Sequence, residues 1–301
     1  MAAGRRPMRD RLVGAGYGLG WGLSQRLPEP VARAAFDRIG DQIWRRNGEG
    51  IRRLRTNLRY ALPDLTDHEL DALSREAMRS YMRYWCEAFR LPSWSRDEVL
   101  RRIVVHNEHI LRDSFAKGDG VVAVLPHMAN WDHVGAWACH TGTPLTTVQE
   151  RLKPERVYQR FVGYRESLGF EVLPLTGGEH RTLAVLLDRA RQGGLICLLG
   201  DRALGADGVE VQLLGHRARL PGGPAMIAQR TGAVLMPLTL AYTPSRLEVT
   251  LHEPVPVVRG NHGVRRMTQR VADVFSAGIR KHPQDWHMLQ RVFIDDLESR
   301  R

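Results

Sequence analysis

The first third of the chain has the hydrophobic pattern of packed helices. Residues 31–44 and 67–89 place apolar side chains three and four positions apart, which is the spacing of a helix with one buried face. Thr66 precedes the second helix and Glu69 stands three positions later, and such a pair can satisfy the free amides of a first helical turn. Shorter helices are predicted at residues 96–102 and 109–115.

From Gly120 onward, short apolar runs alternate with helical segments. Val121–Leu125 is entirely apolar, as expected for a strand that is buried on both faces. This alternation predicts an α/β sheet that is at least partly parallel. The predicted strands are residues 121–125, 145–148, 171–175, 195–199, 209–213, 234–242 and 247–251, of which the last two form an antiparallel hairpin. The predicted helices are residues 131–140, 154–168, 179–192, 224–230 and 263–281.

These patterns predict an α/β fold, with a central mixed sheet flanked by helices and a helical N-terminal portion. We expect one domain over residues 1–301, mainly helical and basic at 1–116, with the α/β core at 117–301. A chain of this length can bury a substantial core without disulfides. Its three cysteines have no metal-binding or paired spacing and fit a reducing, cytoplasmic setting.

Positive charge is concentrated at the beginning of the chain. The formal net charge is +11, and residues 1–60 hold 13 arginines but only 5 acidic residues. A basic end attracts anionic surfaces, either phospholipid or nucleic acid. The apolar run at residues 12–23 is glycine-rich and too short to span a bilayer as a helix. It could lie in the membrane interface or pack on the core.

The segment LPHMANWDHVGAW, residues 125–137, holds the main candidate for catalysis. His127 follows a predicted strand, and Asp132 lies five residues later, in the first turn of a predicted helix. Active sites of open α/β sheets gather beyond the carboxyl ends of the strands. We expect His127 to fold back toward Asp132, which would orient the imidazole as a base for a substrate hydroxyl. Amides at the helix start could stabilise an oxyanion.

Several blocks of the sequence resemble the lysophospholipid acyltransferase superfamily, in its bacterial lipid A lauroyl and myristoyl acyltransferase branch. HMANWD resembles the HxxNWD/E block of that branch, and HPQDWHMLQRVF resembles its HPEQW…R segment. LLGDRALGADGVEVQLLGHRARLPGGPAMIAQRTGAVLMP matches its acidic turn, PGGPA helix start and following strand. The opening GYGLGWGLSQRLPEPVARAAFD is most similar to the actinobacterial phosphatidylinositol mannoside acyltransferases.

The resemblance implies a glycerol-3-phosphate-acyltransferase-like fold and a defined reaction. A palmitoyl-type chain would pass from acyl-CoA to a mannose hydroxyl of a phosphatidylinositol mannoside. His127 would be the catalytic base and Asp132 its partner. No metal or other cofactor is implied, and the protein would work as a peripheral protein at the cytoplasmic face of the plasma membrane, against its anionic surface.

The resemblance also implies further substrate-binding residues. Glu150 and Arg165 would lie near the site, although they could instead form a surface ion pair. Asp201 and Arg202 follow the predicted strand at 195–199. We expect Asp201 to face His127 and either bind acceptor hydroxyls or tune the imidazole, unless it serves only as a turn former.

Phosphate and anion binding would fall to other groups. Arg202 and Arg219 could bind the phosphates of CoA or lipid, because guanidinium forks match phosphate oxygens. Gly222 and Gly223 open the PGGP helix, whose amides could form an anion or oxyanion site or could simply initiate the helix.

Three other functions remain open. The chain could acylate lipid A or another glycolipid from acyl carrier protein or acyl-CoA. It could be a metal-dependent hydrolase built on His127, Asp132, His133 and His140, although it lacks an HExxH pair. It could also be a basic nucleic-acid-binding protein that uses the arginine-rich residues 45–59, although it lacks a nucleic-acid-binding motif.

Overall fold

The computed structural model describes residues 24–151, 154–175, 179–203 and 208–298. The apolar run at residues 12–23 lies outside these ranges, so its place at an interface or on the core stays a prediction. The assignment of residues 1–301 to a single domain also stays a prediction.

Helices form most of the first third of the chain and then flank the strands. They are α1 Glu29–Arg45, α2 Glu49–Ala61, α3 Asp67–Arg90, α4 Arg96–Arg101, α5 Glu108–Ala116, α6 Trp131–His140, α7 Glu155–Ser167, α8 Glu179–Arg191, α9 Gly223–Thr231, α10 Gly263–Lys281 and α11 Ile294–Glu298. The predicted cap of α3 is confirmed, because Thr66 and Glu69 each accept a hydrogen bond from the other's backbone amide. No helix within the described ranges has the length and apolar character needed to cross a bilayer.

The strands form one large sheet and one separate hairpin. They are β1 Ile103–His106, β2 Val121–Leu125, β3 Leu145–Gln149, β4 Glu171–Pro174, β5 Leu195–Leu199, β6 Val209–Leu213, β7 His216–Leu220, β8 Val234–Tyr242 and β9 Leu247–Leu251. The seven-stranded sheet has the order β1-β9-β8-β2-β5-β3-β4, and β6 pairs with β7 alone. Only the β8–β9 pair of the large sheet is antiparallel. The predicted mixed α/β fold is therefore confirmed.

Four elements were absent from the sequence prediction. The helix α11 is only five residues long, and three of these residues are acidic. The strand β1 is only four residues long, and its residues become progressively exposed toward its end. In β7, arginines alternate with buried apolar residues, which hides the strand pattern. The helix α2 carries four arginines among its thirteen residues, so its apolar face is narrow. In each case the tertiary partner, rather than an apolar run, stabilises the element.

Strand direction determines where a catalytic site can form. The strands β2, β5 and β3 lie side by side and run parallel, so their carboxyl ends share one edge of the sheet. All five residues of β2 are buried, as predicted. His127, Glu150 and Asp201 each follow one of these three strands. We call this side of the sheet the carboxyl edge.

Gly120, which precedes β2, packs so closely against α8 that a larger residue there should destabilise the protein. A Cβ atom on Gly120 would lie 2.1 Å from the Ala190 carbonyl oxygen, a backbone atom that cannot simply rotate away. We expect Gly120→Ala to lower the free energy of unfolding by about 1–3 kcal/mol. The matched control is Gly163→Ala in α7, where a Cβ meets no atom within 4 Å and should stabilise the helix by about 0.5–1 kcal/mol. Urea unfolding measures both, and equal effects of the two changes would contradict the prediction.

Candidate active site

His127 and Asp201 meet at the carboxyl ends of two neighbouring strands. Each lies two residues beyond its strand, and β2 and β5 pair in parallel with Leu125 beside Leu199. The Asp201 carboxylate accepts hydrogen bonds from His127 Nδ1 at 2.6 Å and from the His127 amide at 2.9 Å. These bonds fix the imidazole so that Nε2 is directed away from Asp201. His127 is a quarter exposed and lines a cavity.

The Asp201 carboxylate is held as an anion inside the protein. It is fully buried, and Trp286 Nε1 donates a third hydrogen bond to it at 2.9 Å. Burial opposes the charge, but the nearby His127 and the hydrogen bonds from His127 and Trp286 outweigh it and lower the pKa of Asp201. A buried carboxylate with this set of donors can stabilise an imidazolium and fix the tautomer of the ring.

The loop between β2 and α6 is clamped by residues that lie far along the chain. The amide of Ala129 donates to the Asp285 carbonyl at 2.9 Å, and the amide of His287 donates to the His127 carbonyl at 2.8 Å. Ala129 has φ +44°, a left-handed conformation that non-glycine residues rarely adopt. Residues 285–287 therefore stabilise the strained turn that presents His127.

The start of α6 is held from two directions. The Asn130 side chain accepts from the His133 amide at 3.0 Å and donates to Glu87 at 3.1 Å, so it caps α6 and ties the helix to α3. Trp131 follows, with its ring edge-on to His127 at a centroid distance of 5.4 Å. The imidazole thus has Asp201 on one side and an aromatic wall on another.

The structure corrects the predicted role of Asp132. Its carboxylate accepts hydrogen bonds from Arg165 Nε at 2.9 Å and from the Tyr84 hydroxyl at 3.0 Å, whereas His127 Nδ1 is bonded to Asp201. Asp132 therefore does not orient the imidazole. The reason is the strand order, because β5 lies directly beside β2 and brings Asp201 to the ring nitrogen that the sequence alone assigned to Asp132.

The Asp132–Arg165 pair forms a second polar group at the same cavity. Both residues line the cavity, and Arg165 also donates to the Gln149 side chain at 3.2 Å. Burial disfavours the Arg165 charge, but Asp132 outweighs it and raises the pKa of Arg165. Burial and the Asp132 charge also raise the pKa of Tyr84 well above its usual range, so Tyr84 stays a neutral donor. A permanent positive charge therefore faces the cavity near His127.

Glu150 and Arg202 lie together at the exposed part of the cavity. Arg202 Nη2 is 3.5 Å from a Glu150 carboxylate oxygen, and both residues line the cavity. The alternative of a surface ion pair between Glu150 and Arg165 is wrong, since Arg165 pairs with Asp132 instead. Glu150, Arg165, Asp201 and Arg202 thus all belong to the His127 region.

Arg219, Gly222 and Gly223 do not line this cavity. Arg219 lies on β7 opposite Glu210, and its carbonyl accepts from the Ala203 amide. Gly222 precedes α9, and a Cβ on it would meet Val209 of the hairpin. The β6–β7 hairpin, which is separate from the large sheet, places Arg219 beside Ala203, the neighbour of Arg202. The binding of a phosphate or another anion by Arg219, Gly222 and Gly223 therefore stays a prediction.

The cavity has a volume of about 380 Å³ and a mainly apolar lining. It follows β3 from Gln149 at the carboxyl edge to Leu145 at the other end of the strand, where Phe170 and Gly135 also contribute. Four residue steps along a strand span about 13 Å. His127, Asp132 and Arg165 are among its polar lining residues. The cavity therefore suits a ligand with a long apolar chain and a reactive polar end.

Two residues that line the cavity near His127, Tyr84 and His287, were not predicted from the sequence to be site residues. Tyr84 stacks on Trp131 at a centroid distance of 4.2 Å and donates to Asp132. His287 lies on the segment that clamps the His127 loop. No motif marks Tyr84, although its helical spacing with Tyr81 indicated a buried face of α3, whereas His287 lies within the HPQDWHMLQRVF segment.

His287 lies at the end of a buried chain of hydrogen bonds. Ser80 Oγ donates to Asp285 at 2.6 Å and accepts from His287 Nε2 at 2.9 Å. Asp285 also accepts from the Tyr242 amide at 2.8 Å. Burial raises the pKa of Asp285 to about 6, while burial and the His127 charge lower the pKa of His287 to about 3. His287 is therefore neutral beside His127.

The residues proposed for a metal site have other partners. His133 is buried, and its Nε2 donates to the Val99 carbonyl at 2.9 Å. Asp132 is bonded to Arg165 and Tyr84. Within the part of the chain that the structure describes, no three His, Cys, Asp or Glu side chains are grouped to hold a metal ion.

Comparison with known proteins shows that the chain is similar to acyltransferases. Residues 8–294 match the family described as bacterial lipid A biosynthesis acyltransferase. The chain is 40% identical over 299 residues to the phosphatidylinositol mannoside acyltransferase of Mycolicibacterium smegmatis, covering 99% of this chain and 97% of that protein. It is 42% identical over 288 residues to the protein of the same name from Mycobacterium tuberculosis, covering 95% of this chain and 90% of that protein.

The fold was also compared with solved structures. The 1-acyl-sn-glycerophosphate acyltransferase of Thermotoga maritima matches with a TM-score of 0.36 and 16% sequence identity. The match covers 74% of this chain and 86% of that one.

The buried neutral state of His287 makes stability depend on pH. In the unfolded chain this histidine titrates near 6.5, but in the folded protein only near 3. Below pH 6.5 the unfolded state binds a proton that the folded state excludes, so the group lowers the free energy of unfolding by about 1.4 kcal/mol per pH unit. His287→Gln removes this dependence. Relative to wild type, the variant should gain that amount per unit between about pH 6.5 and pH 4.

Urea unfolding of both proteins across this pH range measures the difference directly. A difference between variant and wild type that stays constant with pH would show that His287 is protonated in the folded protein.

Proposed function

The chain belongs to the bacterial lipid A biosynthesis acyltransferase family, and on that premise we propose that it transfers a palmitoyl-type chain from acyl-CoA to a mannose hydroxyl of a phosphatidylinositol mannoside. It is an acyltransferase, and the names of its relatives from both mycobacteria support the acceptor. The observation that carries the mechanism is the His127–Asp201 pair at the polar end of an apolar cavity. The enzyme would act as a peripheral protein at the cytoplasmic face of the plasma membrane.

His127 is the general base in this proposal. Its Nε2 accepts the proton of the acceptor hydroxyl while Nδ1–H remains bonded to Asp201. The hydroxyl oxygen attacks the thioester carbonyl, the new C–O bond forms, and the C–S bond breaks. The proton on His127 then passes to the departing thiolate. The steps balance without a covalent acyl-enzyme, a metal or another cofactor.

Arg165 supplies the positive charge that the transition state needs. Asp132 and Tyr84 hold it rigidly, and its guanidinium is directed toward the cavity, beside Gln149. A fixed donor that faces developing negative charge lowers the barrier more than a mobile one does. Asp132 therefore acts as a positioning residue for Arg165. The amides at the start of α6 are further candidate oxyanion donors.

Substrate binding divides along the cavity. The apolar length along β3 takes the acyl chain, since burying each CH₂ contributes about 0.8 kcal/mol. Glu150 accepts from sugar hydroxyls at the exposed end. Arg202, which is three-quarters buried, binds a phosphate of CoA or of the acceptor lipid when it leaves Glu150.

The first test compares Asp201, which is hydrogen-bonded to His127, with Asp132, which is hydrogen-bonded to Arg165. Wild type should transfer labelled palmitate from palmitoyl-CoA to the mannoside, with and without a chelator, and His127→Ala should abolish this transfer. Asp201→Asn should lower kcat about 10²–10⁴-fold, because it removes the anion that fixes the tautomer. Asp132→Asn keeps the His127–Asp201 bond, so its kcat should fall less than that of Asp201→Asn. Its KM should rise as well.

The controls separate substrate from mechanism. Lipid A precursor replaces the mannoside in one arm, and palmitoyl acyl carrier protein replaces palmitoyl-CoA in another. Transfer to lipid A precursor alone would overturn the acceptor, and transfer from the carrier protein alone would overturn the donor. Full activity in His127→Ala, or a larger kcat loss in Asp132→Asn than in Asp201→Asn, would overturn the mechanism.

The second test concerns the end of the cavity near Leu145. Phe170 lies against Gly135 there, so close that a Cβ on Gly135 would be 2.3 Å from the ring. We expect Phe170→Ala to lengthen the cavity and to shift the preferred donor toward longer acyl chains. Competition between acyl-CoA donors of different lengths measures the shift. Phe115→Ala, which removes a phenyl ring outside the cavity lining, should leave the preference unchanged.

A further inference from the structure

A second pocket lies on the opposite face of α3 from the catalytic cavity. Tyr81, Tyr84 and Trp85 line the catalytic cavity, whereas Arg83 and Glu87 line the second pocket, as the 100° step between helical residues requires. The second pocket has a volume of about 410 Å³. Its lining comprises five arginines, two glutamates and a turn, namely Arg33, Arg83, Arg101, Arg102, Arg246, Glu29, Glu87, Pro244 and Ser245. We call it the basic pocket.

The two glutamates do not neutralise these arginines. Glu29 is engaged by Arg102 through two hydrogen bonds of 2.6 and 2.8 Å. Glu87 is shared, because Arg83, Asn130 and the Tyr242 hydroxyl all donate to it. Positive charge is therefore in excess in the basic pocket.

Two guanidinium groups have donors left over. Arg33 is 3.9 Å from Glu87, and its buried Nε has no hydrogen-bond partner among the described residues. Arg83 donates from Nε to Glu87 and from Nη1 to the Thr243 carbonyl, while no described residue accepts from its Nη2. Arg83 is only 8% exposed, and its guanidinium lies 3.8 Å from the centre of the Tyr242 ring. A buried guanidinium that is held in place and has a donor left over can bind an oxygen of a phosphate.

The position of the basic pocket indicates where that phosphate comes from. Tyr242 ends β8, which runs parallel to β2, so the basic pocket and His127 share the carboxyl edge of the sheet. Arg246 lies in the turn between β8 and β9 at the same edge. If the acceptor of the catalytic cavity is a membrane lipid, this edge faces the headgroups of the bilayer. The volume of the basic pocket suits a headgroup without its acyl chains.

We propose that the basic pocket binds the phosphate of an anionic phospholipid headgroup that is distinct from the lipid acylated at His127. This inference rests on the proposed function, because a lipid acceptor is what turns the carboxyl edge toward the bilayer. The bound headgroup holds that edge at the surface while acceptor and donor exchange in the catalytic cavity.

The test measures vesicle binding without any acyl donor or mannoside acceptor. The pocket variant is Arg33→Gln/Arg246→Gln, which spares Arg83 because Glu87 is buried and needs it. The control variant is Arg265→Gln/Arg266→Gln, which removes the same charge from exposed positions on α10, outside the lining. Sedimentation with phosphatidylcholine vesicles, with or without phosphatidylinositol, gives the affinities, and circular dichroism checks the fold.

We expect the pocket variant to bind phosphatidylinositol vesicles about tenfold more weakly than wild type, and the control variant to lose about twofold or less. Soluble glycerophosphoinositol should compete with wild-type binding. Equal losses in both variants would reveal general charge attraction and overturn the pocket. Tight binding of inorganic phosphate to wild type, with unchanged vesicle binding by the pocket variant, would assign the site to free phosphate and overturn the lipid. Since no acyl transfer is measured, these outcomes are separate from those that test His127.

Discussion

The contact between the buried Asp201 carboxylate and His127 is the interaction on which the rest of the site depends. A carboxylate with no exposed surface is costly unless donors surround it, and here the donors are the His127 amide and ring and the Trp286 indole. Those three bonds join β2, β5 and residues 285–287 into one rigid group. The same group supports the left-handed turn at Ala129. The residues that stabilise the buried carboxylate therefore also position the loop that presents His127.

Helix α3 lines both the catalytic cavity and the basic pocket. One of its faces supplies the tyrosines and tryptophan that enclose the catalytic cavity, and Tyr84 ties that wall to Asp132. The other face supplies Arg83 and Glu87 to the basic pocket, and Glu87 also holds the cap of α6. Because both faces are buried against different partners, α3 connects the proposed acyl-transfer site to the surface that we propose meets the phospholipid headgroups.

Much of this organisation could be predicted from the order of residues. The apolar run 121–125, the histidine after it and the helix from Trp131 are local features, and they occur where they were predicted. The capping box at Thr66 is equally local. The elements that escaped prediction, β1, α2, β7 and α11, are short or rich in arginine, and neighbours distant in sequence supply the apolar partners. That Arg219, Gly222 and Gly223 lie outside the cavity lining could not be predicted either, because the β6–β7 hairpin forms its own sheet.

The sequence by itself determined that a histidine would stand at the end of a buried strand, with carboxylates and arginines following other predicted strands. Only the tertiary structure decided which carboxylate orients it. The spacing between His127 and Asp132 is five residues, whereas Asp201 lies 74 positions from His127 and reaches its Nδ1 because β5 is adjacent to β2. Asp132 instead accepts a hydrogen bond from Arg165, which lies on α7. Hydrogen-bond partners across a parallel sheet depend on strand order and register, and local spacing encodes neither of them.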